Sequence, residues 1–184
     1  MKHVLFFGDS LTAGYGLKSP STESFPALLA KKAVEEDHAF SYTNAGISGD
    51  TSATALQRLP GILKRNFDIF VLGIGANDIL RGYTPQSMNA NMEAIIQKIR
   101  INDHNTKIIL LGMELPAWIS HDRVSAYRDS YKNLAKKYEL TFLPFLLEGV
   151  IGNRLLNLPD LVHPNAAGYK IIAQNVWPLL KSQL

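Results

Sequence analysis

Two spacings of apolar residues alternate along this chain. Short apolar runs stand at residues 4–7, 40–43, 69–72, 108–111 and 141–143, the second being the weakest. Runs of this length suit strands covered on both faces, as in a parallel sheet. Between them, apolar residues return every three or four positions. Phe25, Leu28, Leu29 and Ala33 share one helical face, and Met88, Met92, Ile95, Ile96 and Ile99 share another. So do Val124, Tyr127, Tyr131, Leu134 and Tyr138, and near the C-terminus Ile172, Val176, Leu179 and Leu180. Ser24 ahead of Phe25-Pro26, and Thr84-Pro85, are helix-start signals. Pro60-Gly61 predicts a break that splits the segment 51–65 into two pieces.

Strand–helix alternation of this kind predicts an α/β fold. The expected form is a three-layer α/β/α sandwich with a five-stranded parallel sheet, flavodoxin-like, joined by right-handed crossovers. No linker, low-complexity tract or repeat interrupts the pattern. The 184 residues are therefore expected to form one domain, 1–184. A chain of this size buries roughly 70% of its unfolded surface and needs no staple.

Composition removes several function classes. The chain has no Cys, which excludes a disulfide framework, a Cys-ligated zinc, an iron–sulfur cluster and a thiol nucleophile. Nineteen Lys+Arg against sixteen Asp+Glu give a net charge of +3. The basic pairs Lys31-Lys32, Lys64-Arg65 and Lys136-Lys137 are scattered, which reads as solvated helix faces and predicts no nucleic-acid partner. No apolar run approaches the ~18 residues of a membrane span. The run 4–7 is too short for a signal-peptide core of ~7–15 residues. The expected location is cytoplasmic as the chain stands, or periplasmic or secreted if an upstream signal was removed. The oligomeric state is open, with a monomer as the default expectation.

In a parallel α/β sheet, ligands gather outside the carboxyl ends of the strands. The first strand end leads into Gly8-Asp9-Ser10-Leu11, the second into Asn44-Ala45-Gly46-Ile47-Ser48-Gly49-Asp50-Thr51, and the third into Gly73-Ile74-Gly75-Ala76-Asn77-Asp78. Asp160-Leu161-Val162-His163-Pro164-Asn165 precedes the last helix. If a helix or turn begins at Ser10, backbone N–H groups there would stabilise an oxyanion. An N-cap serine is the plain alternative. Asp160, three residues before His163, could accept from Nδ1–H and leave Nε2 free to take a proton. A surface turn explains the same spacing. Gly49 would let an oxygen approach its N–H, and the Asn77 amide is a neutral donor. Turn roles are the alternatives for both. No cluster with metal-ligand spacing accompanies them. Singly, each residue has its bland explanation; together they fall on successive strand-end loops of one sheet, which favours a common site.

Gly8-Asp9-Ser10-Leu11 with Asn44, Gly49, Asn77 and the Asp160/His163 pair, in that order, resembles the SGNH hydrolases, also called GDSL esterases. The resemblance extends over nearly the whole chain. It is nearest to the bacterial acyl-CoA thioesterase/lysophospholipase/arylesterase branch, through the stretch from Ala45 to Thr51, Asn77-Asp78-Ile79-Leu80-Arg81-Gly82 and Leu115-Pro116-Ala117. It implies a serine ester hydrolase that cleaves carboxylic ester or thioester bonds of small acyl substrates through an acyl-enzyme, without cofactor or metal. Ser10 would be the nucleophile, His163 the general base and later acid, and Asp160 its orienting partner. The N–H groups of Ser10 and Gly49 and the Asn77 amide would form the oxyanion hole. Leu161 departs from the pattern, standing where many members have glycine.

Ile79, Leu80 and Tyr83 after Asn77, and Leu115, Pro116, Ala117 and Trp118 after the fourth strand, offer an apolar wall for an acyl chain. Ordinary loop packing would explain them equally well. The bulk of Trp118 predicts short-to-medium chains. The runner-up activity is carbohydrate O-acetyl hydrolysis. The rival from another class is a non-catalytic flavodoxin-like module, which as a phosphoryl receiver would need clustered acids and a Lys after the fifth strand; Pro144-Phe145 stands there instead. Neither Gly-x-Ser-x-Gly, nor a Walker A pattern, nor Gly-x-Gly-x-x-Gly after a strand occurs.

Overall fold

Five parallel strands form the sheet, in the order β2-β1-β3-β4-β5. They are β1 (His3–Gly8), β2 (Ser41–Gly46), β3 (Ile69–Gly73), β4 (Lys107–Leu111) and β5 (Thr141–Leu143). This computed structural model describes residues 1–114 and 122–184. The helices are α1 (Ser10–Ala13), α2 (Pro20–Glu23), α3 (Phe25–Glu35), α4 (Ser52–Ile62), α5 (Ala76–Leu80), α6 (Pro85–Asn102), α7 (Asp122–Lys137) and α8 (Ala166–Lys181). On one side α3 packs against α8; on the other, α6 packs against both α4 and α7. This is the expected three-layer, flavodoxin-like arrangement.

The sequence explains the layers. Val4, Leu5, Phe6 and Phe7 are all fully buried, as a central strand between two helix layers requires. Successive side chains point to opposite faces. Phe6 meets Phe25 of α3 edge-on at 5.6 Å, while Phe7 packs on Phe70 at 5.3 Å and lies beneath Arg58 of α4. Buried Met88, Met92, Ile95, Ile96 and Ile99 form the inner stripe of α6. Thr84 caps that helix by accepting from the Ser87 N–H, and Asn165 caps α8 by accepting from Ala167 and Gly168.

Two expectations need correction. The second strand is Ser41–Gly46 rather than 40–43. It lies at the sheet edge, where half-exposed residues suffice. Its register with β1, from His3↔Ser41 to Gly8↔Gly46, carries it through Asn44 to Gly46. Pro60-Gly61 does not split the following helix, because α4 runs unbroken from Ser52 to Ile62. Pro60 lies in its last turn with its ring exposed, and buried Ala55 and Leu59 hold the helix to the core. There the missing N–H forfeits one bond of the final turn without interrupting those that precede it.

The chain visits β1, then β2 on one side, then crosses to β3 on the other. The loops after β1 and β3 therefore diverge and leave a crevice at their carboxyl ends.

Candidate active site

Ser10 is the first residue of α1, and its N–H has no intrahelical acceptor at that position. The cap is Asp9, whose carboxylate accepts from the Leu11 N–H at 3.0 Å. Ser10 is thus not the N-cap that the plain alternative required, and its hydroxyl is free to face the crevice. It stands 3.0 Å from His163 Nε2. Two glycines permit this placement. A Cβ on Gly8 would strike the Thr12 side chain and the Gly73 carbonyl, and one on Gly46 would strike the Ala13 backbone. Only with both can α1 lie down on the sheet.

His163 is presented by the segment ahead of α8. A bridge between Asn157 and Pro164, with the Leu158 N–H donating to the His163 carbonyl at 2.8 Å, closes this segment into a compact loop. Asp160 Oδ2 accepts from His163 Nδ1 at 2.6 Å. Its other oxygen accepts from the N–H groups of Val162 and His163, at 3.0 and 2.9 Å. Partial burial opposes the charge on Asp160, but the bonds from the His163 ring and from these two N–H groups outweigh it and hold the carboxyl below the usual range. The imidazole is thereby fixed with Nε2 towards Ser10. Tyr15 packs on its face, ring centroids 4.7 Å apart.

Gly49 and Asn77 approach from β2 and β3. In the turn after β2 the Asp50 N–H returns to the Ile47 carbonyl at 3.1 Å, with Gly49 at φ +85°. A third turn residue with positive φ favours glycine. The Arg81 guanidinium donates to the Gly49 carbonyl at 2.9 Å. Asn77, in α5, donates one amide hydrogen to the Asp50 carbonyl at 2.8 Å, which fixes the amide plane and leaves a second hydrogen to donate. Its neighbour Asp78 is buried and accepts from the N–H and hydroxyl of Ser52, at 2.7 and 2.5 Å. Asp9 is also buried. Desolvation, reinforced by the charges of Asp50 and Asp78 against the Leu11 hydrogen bond, pushes its carboxyl up to about 7.

A cavity of about 300 Å³ opens beside Ser10, Asn77, Asp160 and His163. Ile79 and Leu80 line it. Tyr83 does not; it is 42% exposed, and its carbonyl accepts from the Tyr127 hydroxyl. Leu115, Pro116 and Trp118 lie outside the described residues. Leu11 and Val162, the neighbours of Ser10 and His163, add to the wall, as do Met113, Leu147 and Ile151, which no motif singled out. These last three carry no chemistry and are spaced like core residues, so only the tertiary structure gathers them. Leu161, also in the wall, has φ +59°, a left-handed conformation that suits glycine. The cavity thus joins a hydroxyl–imidazole–carboxylate chain to an apolar chamber. No group of three or more potential metal ligands occurs among the described residues.

Comparison with known proteins gives a consistent picture. The family model described as GDSL-like Lipase/Acylhydrolase matches residues 6–171. The chain is 36% identical to Esterase TesA of Pseudomonas aeruginosa over 182 residues, 98% of this chain and 89% of that protein. It is 36% identical over 171 residues to the Thioesterase 1/protease 1/lysophospholipase L1 of Escherichia coli K12, 92% of this chain and 79% of that protein. A crystal structure of TesA superposes with a TM-score of 0.93 at 35% identity, covering 100% of both chains.

Proposed function

The chain belongs to the GDSL-like lipase/acylhydrolase family and is a hydrolase of carboxylic ester or thioester bonds, and from that premise we propose how its own residues divide the work. The non-catalytic rival is set aside. Ser10 is the nucleophile, His163 its base and Asp160 the group that orients the imidazole. The observation that carries this assignment is the continuous chain from Ser10 Oγ to His163 Nε2, 3.0 Å, and from Nδ1 to Asp160 Oδ2, 2.6 Å.

The hydroxyl attacks the acyl carbonyl while Nε2 takes its proton, and a tetrahedral oxyanion forms. The Ser10 and Gly49 N–H groups and the second Asn77 amide hydrogen stabilise that charge without carrying charge themselves. The imidazolium returns its proton to the departing alcohol or thiol, leaving the acyl group on Ser10. Water, deprotonated by the same imidazole, repeats the attack, and the imidazolium returns that proton to Ser10 Oγ as its bond to the acyl carbon breaks and the carboxylic acid leaves.

The acyl chain occupies the apolar chamber. At about 300 Å³ the chamber stands at the low end of small-molecule pockets, which run from ~300 to ~1,000 Å³ and are mostly apolar. Short-to-medium acyl chains fit this size, as esters or thioesters. The test is the initial rate on p-nitrophenyl esters from acetate to dodecanoate, with Ser10→Ala as control. Turnover lost in Ser10→Ala and an optimum below dodecanoate are expected. Ile151→Trp, which fills the chamber, moves the optimum to shorter chains. Full turnover by Ser10→Ala removes the nucleophile assignment, and an unmoved optimum in Ile151→Trp places the acyl chain elsewhere.

A further inference from the structure

Arg58 of α4 neither lines the chamber nor reaches the triad, yet it touches two parts of the site frame at once. Its Nε donates to Asp50 Oδ2 at 2.5 Å, and its Nη2 donates to the Gly8 carbonyl at 3.0 Å. The guanidinium lies 3.9 Å from the centre of the Phe7 ring, which fixes its plane. Asp50 is also gripped from α4 by the Thr54 hydroxyl at 2.9 Å. The main-chain carbonyl of this same Asp50 orients the Asn77 amide. The side chains of Arg58 and Asp50 are only 19% and 8% exposed.

A buried ion pair is a poor source of stability, because desolvating two charges offsets much of their attraction. Packing alone would be served as well by an apolar side chain of similar volume. What an apolar side chain could not supply is a planar set of donors that reaches two acceptors in fixed directions. Those acceptors are the end of β1, two residues before Ser10, and the residue after Gly49.

We propose that Arg58 is a positioning residue for the oxyanion hole: it ties the Gly49–Asp50 turn to the end of β1 and so holds the Asp50 carbonyl where it orients the Asn77 amide. The proposal rests on the assignment of Asn77 as an oxyanion donor.

The test is a double-mutant cycle with Asn77→Ala, read as kcat and KM on p-nitrophenyl butyrate, with urea unfolding to confirm the fold. Arg58→Met keeps the stem and removes the donors. It is expected to lower kcat roughly tenfold to a hundredfold, as misplacement of a catalytic group does, with KM nearly unchanged. Arg58→Lys, which can reach one acceptor but not both, falls between. In the Asn77→Ala background, Arg58→Met costs no more than about twofold further, because the group it positions is gone. An equal loss in both backgrounds, or unchanged kcat in Arg58→Met, overturns the proposal. Should Arg58→Met fail to fold, Asp50→Asn enters the same cycle, and an additive loss there overturns it equally. Wild-type turnover in Asn77→Ala, with Ser10→Ala inactive, would instead remove the Asn77 assignment and the proposal with it, leaving the hydrolase itself intact.

Discussion

Leu161 stands between the acid and the base of the triad with φ at +59°. An L-residue in that conformation costs roughly 1–2 kcal/mol, because its Cβ crowds the following carbonyl. The Asp160 bonds to Val162 and His163 hold the backbone there, and the leucine side chain forms part of the chamber wall. Leu161→Gly relieves the strain but adds freedom to the unfolded chain worth roughly 0.5–1 kcal/mol, and it gives up apolar contact. These terms oppose each other, so urea unfolding is expected to shift by no more than about 1 kcal/mol. KM for the longer acyl esters should rise as the wall is lost, while kcat on acetate stays. A large loss of stability would show that the side chain, not the backbone, governs this position. The sequence singles out Ser10, Asp160, His163, Gly49 and Asn77 as candidates because polar and glycine residues at strand ends stand out against apolar strands. Nothing in it marks Leu147 or Ile151, whose apolar character serves core and pocket alike.

The contact that places the nucleophile is between elements, the four-residue α1 lying on β2. A Cβ at Gly46 would collide with the Ala13 nitrogen and come within 2.7 Å of the Thr12 carbonyl carbon, both of them backbone and unable to rotate away. Gly46→Ala must lift α1, and Ser10 with it. Overpacking of this kind costs typically 1–3 kcal/mol. The expected result is lower stability by that amount together with reduced kcat, measured by chemical unfolding and by turnover on p-nitrophenyl butyrate. Loss of stability with unchanged kcat would separate α1's packing from the position of Ser10. Elements were legible where burial is two-sided, as in β1, β3 and β4. Legibility failed at β2, an edge strand whose residues 44–46 look like a loop, and at Pro60, where exposure in a last turn makes a helix breaker harmless.

At the scale of the molecule, sheet order brings three carboxylates, Asp9, Asp50 and Asp78, to one end of the sheet. Asp50 has Arg58, and Asp78 has Ser52; Asp9 has the Leu11 N–H and a burial that raises its carboxyl to about 7. In the unfolded chain an aspartate titrates near ~3.9. Between these values the folded protein holds a proton that the unfolded chain has released. Stability from Asp9 is therefore complete below the unfolded value and is lost as pH rises through about 7. Asp160 has the opposite sign, but its lowered carboxyl titrates in more acid solution, outside this window. Asp9→Asn keeps an acceptor for the Leu11 N–H and cannot ionise. The unfolding free energy of the wild type, read from melting curves, should therefore fall relative to Asp9→Asn between pH 5 and pH 8, by an amount on the order of a few kcal/mol at most. Melting curves that run parallel for the two proteins across that range would mean that Asp9 is already charged in the fold. The end of β1 would then carry a full negative charge beside the nucleophile, against the stabilisation that an oxyanion requires there.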